Sequence, residues 1–206
     1  MSRPEHGTEL IDTVFGRRAE PVQDLGDQAD TVARTCHAMA ARFHQGGKLL
    51  VFGNGGASTD AQHVAVEFVH PVIVGKRALP ALSLTSDIAT VTGVANRAGL
   101  PEVFAHQIRH LSHPTDIALG ISSDGSCENV LRGLRCAAER GLLTVALTGG
   151  DGGQIARDAS VEHVLVARSD DPRVVKEVHV TAYHILWELV HVFFEHPGVL
   201  QREMKS

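Results

Sequence analysis

KLLVFGNGGASTDAQHVAVEFVH, residues 48–70, is the stretch from which the rest of the chain can be read. It opens with a continuous apolar run, Leu49 to Phe52, with the length and β-forming character of a strand buried on both faces. Gly53, Asn54, Gly55 and Gly56 then break the run. Glycine reaches positive φ and lets a ligand approach the backbone, while Ser58 or Thr59 supplies a cap for the helix that follows. Strand, glycine turn and helix N-terminus form an anion cradle, because free backbone N–H groups and the positive end of the helix dipole converge on the turn. Tight α/β connections use the same glycines with no ligand, so the turn by itself leaves both readings open. On the helix, His63 and Glu67 stand four residues apart and share a face. Such pairs are common as surface hydrogen bonds. Here Val64, Ala65, Val66 and Phe68 make the helix apolar on most sides, and a buried His and Glu need partners or a task.

Upstream, residues 1–23 are polar, contain Pro4 and Pro21, and read as a loosely attached tail. Over 24–44, Ala29, Val32, Ala33, Cys36, Met39, Ala40 and Phe43 recur at helical spacing, and Gln45-Gly46-Gly47 ends that helix. Downstream, residues 79–84 form a second strand, and Thr85-Ser86-Asp87 caps a helix over 88–96. A further helix follows over 102–111. Residues 116–122 are a third strand running into SSDGSCENV, which opens a helix over 128–140. The unit repeats with a strand at 142–147, a glycine turn to 153 and a short helical turn over 154–158. A fifth strand covers 161–167, Asp170 and Asp171 cap a last helix to about 195, and 197–206 is a tail. This alternation specifies an α/β fold: a three-layer, doubly wound, five-stranded parallel sheet with an N-terminal helix, in one domain over 24–196. Ligands in such sheets bind beyond the carboxyl ends of the strands, where the turns at Gly53, Ser122 and Gly149 lie.

Composition narrows the function. With 19 basic against 24 acidic residues and no block of Lys and Arg, direct nucleic-acid binding has no electrostatic footing. No run approaches the roughly 20 apolar residues of a membrane span, and the polar start MSRPEHGTELIDTV is unlike a signal peptide. Cys36, Cys127 and Cys136 form no CxxC pair, which fits a reducing cytoplasm. His106, His110 and His113 fall in a polar stretch and read as a solvated face, as do Arg132, Arg135, Glu139 and Arg140. Tyr183, Trp187 and Phe193 pack the last helix, and His179 takes a supporting or interface position.

With FGNGGASTDAQHVAVEF, DIALGISSDGSCENVLRGLRCAAERGL, TVALTGGDGGQIA and KEVHVTAYHIL in order, the chain resembles the sugar isomerase (SIS) domain family, and within it the phosphoheptose isomerases. The likeness runs from about residue 24 to 195. It implies isomerisation of sedoheptulose 7-phosphate to an aldoheptose phosphate by a homotetramer with sites between subunits, often with zinc. Carried over, Asn54, Gly55, Gly56 and Ser58 serve the first phosphate or substrate turn, and Ser122, Ser123, Asp124 and Cys127 occupy the second. Glu67 would be the base and His184 the acid, and the metal ligands would be His63, Glu67 and His184. The chemistry stands without the family. Moving a proton between adjacent carbons through an enediol needs a base near carbon and an acid or Lewis acid near oxygen.

The departures fall around the same turns. Ala57 stands where the family has a serine, with Ser58 adjacent to substitute for it. The family's STSGNS reads SSDGSC, placing Asp124 and Cys127 in the second turn, and a carboxylate facing a phosphate repels it unless it is protonated, turned away or paired. Arg97 and Arg173 to Lys176 replace further expected residues, with Lys176 at the position of a fourth zinc ligand, where an ammonium has no lone pair. Two accounts fit. In one, the new cations serve a rewired, metal-free isomerase in which Lys176 pairs with Glu67. In the other, catalysis is lost and the domain binds a phosphosugar or a protein as a regulator.

Overall fold

The computed structural model describes residues 5–196. Five strands, β1 (Leu49–Gly53), β2 (Ala81–Ser83), β3 (Ile117–Ser122), β4 (Leu143–Gly149) and β5 (His163–Ala167), form one sheet in the order β2-β1-β3-β4-β5, all parallel. β1, β3 and β4 are buried along their whole length, which is why their sequences are continuous apolar runs rather than alternating ones.

Alternate residues of each strand feed two cores. Leu49 and Val51, with Ile117, Leu119, Val145 and Leu147, face a layer made of α2 (Ala29–His44), α3 (Gly56–Val69) and α8 (Pro172–Glu195). Leu50 and Phe52, with Ala118 and Ala146, face the opposite layer, where α4 (Ile88–Ala98), α5 (Val103–Leu111), α6 (Glu128–Glu139) and the short α7 (Gly153–Arg157) lie. The expected three-layer fold is therefore present. Among the described residues, no helix is long and apolar enough to cross a membrane.

The tail expected over 1–23 is corrected from Glu5 onward: α1 (Glu5–Asp27) is a continuous helix with Pro21 inside it. Val14, Arg18, Pro21 and Leu25 form its inner stripe, and the Arg18 guanidinium meets the Glu177 carboxylate on α8 at 2.7 Å and 3.0 Å. The expected helix over 24–44 is thus split by a turn at Gln28, whose side-chain amide donates to Val166 O and accepts from Val166 N of β5. The tail expected over 197–206 lies outside the described residues.

Candidate active site

β1 and β3 lie side by side where the strand order reverses, so the turns leaving them open a crevice rather than a packed connection. A cleft of about 350 Å³ fills it. Asn54, Gly55, Gly56 and Ala57 line it from the first turn, and Ile121, Ser122 and Ser123 from the second. Cys127, at the start of α6, closes one side, and Asp60, Lys176 and His179 close the other. The two turns are held in tight register. A Cβ on Gly53 would come within 2.7 Å of the Ile121 carbonyl oxygen, so only glycine allows this approach. Asn54 and Asn129 exchange amide hydrogen bonds, Nδ2 to Oδ1, at 2.7 Å and 2.9 Å, which ties the first turn to α6.

Ser58 and Asp124 are not among the residues lining the cleft. Ser58 and Thr59 lie within the first turn of α3 rather than before it, and each hydroxyl donates at 2.6 Å to the carbonyl three residues back, Gly55 O and Gly56 O. The N-cap is Gly55, with no side-chain cap, so Ser58 does not cap the helix. Asp124 folds back on its own turn, with Oδ1 accepting from Ser126 N at 2.9 Å and from Ser122 Oγ at 3.2 Å. It borders a separate hollow beside Asp151 and Asp170, so its charge is turned away from the cleft.

Lys176 is also placed differently from the expectation. Its ammonium donates to Asp60 Oδ1 at 2.7 Å, Gly56 O at 3.1 Å and Thr59 Oγ1 at 3.4 Å. It pairs with Asp60 instead of Glu67, and it does not stand with the expected metal ligands. The eight residues from Lys176 to His184 span about 12 Å of helix, which sends the two side chains to different ends of α3. Arg173 is paired with Asp171, and Arg97 is exposed in the last turn of α4; neither lines the cleft. His179 is 3% exposed, and its Nε2–H donates to Thr148 O at 3.0 Å. Burial lowers its pKa below the usual histidine value, so the imidazole is neutral at neutral pH.

The other expected trio comes together. His63, Glu67 and His184 each offer a ligand atom within 4.8 Å of the others. His63 Nε2 lies 3.3 Å from Glu67 Oε1, and His63 Nδ1 lies 2.8 Å from the Tyr183 hydroxyl. The Tyr183 phenol keeps its proton, because burial first, and then the charges of Asp60 and Glu67, push its pKa up to about 12. A neutral His63 satisfies both contacts in one tautomer: the phenol donates to Nδ1, and Nε2–H donates to the carboxylate. Trp187 Nε1 donates to the Glu67 carbonyl oxygen at 2.9 Å and fixes that turn of α3. Two imidazoles and a carboxylate suit a zinc ion with a fourth position open: His63 would then present Nε2 to the metal and donate Nδ1–H to the Tyr183 hydroxyl, and the 43% exposure of its side chain leaves the trio reachable.

Four residues of this region had no functional reading in the sequence. The sequence reads Tyr183 and Trp187 as packing residues, a role they also perform. Asp60 carried a signal, since positions 60, 63 and 67 share one helix stripe. Asn129 did not, because its partner is 75 residues away.

The SIS domain family model matches residues 18–149. A phosphoheptose isomerase of Solidesulfovibrio magneticus is 39% identical over 186 residues, which is 90% of this chain and 88% of that protein. Another, from Nitratidesulfovibrio vulgaris, is 38% identical over 201 residues, covering 96% and 91%. The solved phosphoheptose isomerase of Francisella tularensis is similar with a TM-score of 0.83 at 29% identity, across 90% of this chain and 98% of that one. This chain is a member of the SIS domain family, and the relatives named above are phosphoheptose isomerases.

Proposed function

We propose that this chain is a cytoplasmic phosphosugar isomerase that interconverts a ketose and an aldose, with sedoheptulose 7-phosphate as the leading substrate. The observation that carries the reading is the His63, Glu67 and His184 trio standing on the same two helices, α3 and α8, that border the glycine- and serine-lined cleft. The phosphate would sit against the backbone N–H groups at the start of α3 and the Ser122–Ser123 turn. Glu67, oriented by His63, takes the proton from the carbon next to the carbonyl. His184 gives a proton to the carbonyl oxygen, and the enediol is reprotonated at the neighbouring carbon. The Tyr183 hydroxyl holds His63 in the tautomer that donates to Glu67. Zinc, if held by His63, Glu67 and His184, would polarise the carbonyl as a Lewis acid. The domain, with α1 packed on it, would act within a homotetramer, with sites between subunits.

Proton NMR in heavy water with sedoheptulose 7-phosphate and other ketose and aldose phosphates tests this reading, with and without zinc. The expected result is exchange of carbon-bound hydrogen for deuterium that disappears in Glu67→Gln. No exchange with any of these sugars, from folded protein, would remove the enzyme reading and favour a phosphosugar-binding regulator.

A further inference from the structure

The cleft carries one cationic side chain, Lys176, facing one anionic side chain, Asp60, and this pair has no part in the proton transfers described above. Asp60 is 6% exposed and has its carboxylate beside the turn that would receive a phosphate. Left unpaired there, it would repel a dianion at close range. His179 cannot offset it, because the imidazole is neutral and its Nε2–H is committed to Thr148 O. The neighbouring cations are elsewhere, with Arg173 bound to Asp171.

We propose that Lys176 is a specificity-determining residue for anionic substrates: its ammonium cancels Asp60 and contributes a direct ligand to the phosphate held at the α3 N-terminus. The geometry supports both parts. The ammonium sits at the first turn of α3, 3.1 Å from Gly56 O, and a Cβ added to Gly56 would lie 3.8 Å from Nζ, so the cation overlies the glycine turn. Its bond to Asp60 is short, at 2.7 Å, whereas its bond to Thr59 Oγ1 is 3.4 Å. The weak contact is the one an incoming phosphate oxygen replaces, and charge-assisted donation to phosphate is the stronger bond. The Lys176 side chain is 47% exposed, so it reaches an anion entering from solvent without repacking the helix.

This assignment rests on the phosphosugar reading of the cleft, and its test reads binding rather than turnover. Inorganic phosphate is titrated into wild type, Lys176→Gln, Lys176→Arg and Asp60→Asn by calorimetry at two salt concentrations, after circular dichroism has shown each to be folded. Lys176→Gln is expected to weaken phosphate binding at least tenfold and flatten its salt dependence, with Lys176→Arg intermediate. Asp60→Asn is expected to tighten it. A purely structural strap between α3 and α8 predicts something else: both Lys176→Gln and Asp60→Asn lower the unfolding midpoint, and neither moves phosphate affinity. That outcome, or equal weakening by both, overturns the assignment. Failure of carbon–hydrogen exchange with intact phosphate binding would sink the isomerase reading alone.

Discussion

Tyr183 is where the packing of α8 reaches the acid–base trio, since the same side chain is 2% exposed and hydrogen-bonded to His63 Nδ1. Removing only the hydroxyl separates the two roles. Tyr183→Phe keeps the ring in the core, so the fold is expected to lose about 1 kcal/mol, one net hydrogen bond. The turnover number is expected to fall by about tenfold or more, as for other partners that orient a functional histidine, with KM little changed. Steady-state kinetics beside a denaturant titration check both halves; an unchanged kcat would show that His63 needs no orienting partner. At this scale, the sequence is legible where a residue's role is set by its own backbone. Asn54, Gly55, Gly56, Ser122, Ser123 and Cys127, singled out from the turns alone, all line one cleft. It is not legible where the role depends on where a side chain turns. Ser58 is the third residue of the helix instead of before it, Asp124 bends onto Ser126, and Lys176 goes to Asp60. Each of those outcomes is decided by atoms far smaller than the two-residue error with which a helix start is read from sequence.

The elements above the sheet are locked by glycine contacts that no strand or helix pattern reveals. Gly125, in the turn after β3, has φ +68°, and a Cβ there would lie 1.9 Å from the carbonyl oxygen of Gly152 in the turn after β4. The Gly125 carbonyl in turn accepts from Ile155 N at 3.0 Å, so the second substrate turn leans on α7. Gly125→Ala meets both a conformational penalty and a backbone clash, and it is expected to cost about 3 kcal/mol or more. Its urea midpoint should drop sharply, whereas Gly16→Ala, on an open face of α1, should leave the midpoint near wild type. Comparable midpoints for the two variants would show that the turns can separate without cost. The strands themselves were readable because β1, β3 and β4 are continuous apolar runs between glycines. β2 is shorter than the expected 79–84, as an edge strand with one neighbour pairs only over Ala81–Ser83. α1 was misread for a physical reason: its inner stripe includes an arginine and a proline, which hide the helical period. Arg18 is tolerated there because Glu177 pairs with it, and Pro21 packs its ring into the inner stripe at the cost of one i−4 backbone hydrogen bond.

At the scale of the molecule, α1 carries a second apolar stripe that is left exposed among the described residues. Leu10, Ile11 and Phe15 are 65%, 56% and 70% exposed, and Val72, Ile73 and Val74 form another exposed apolar patch in the loop after α3. Side chains of this size stabilise a protein by about 1.5–3 kcal/mol each when buried, so symmetric contacts between copies recover the value several times over. The acid–base trio lies at the half-exposed outer face of α3 and α8, open to a neighbouring chain, in keeping with sites completed between subunits. If the proposed homotetramer is the form these surfaces build, wild-type protein should elute with a light-scattering mass of four chains. Phe15→Asp, which places a charge on the stripe without touching the cleft or the trio, should shift the protein towards smaller species. If the sites are shared, carbon–hydrogen exchange on the sugar phosphate should fall in proportion to the tetramer lost, and recover as protein concentration drives reassembly. Full activity in a Phe15→Asp monomer would mean that one chain holds a complete site, and a monomeric wild type would remove the tetramer altogether.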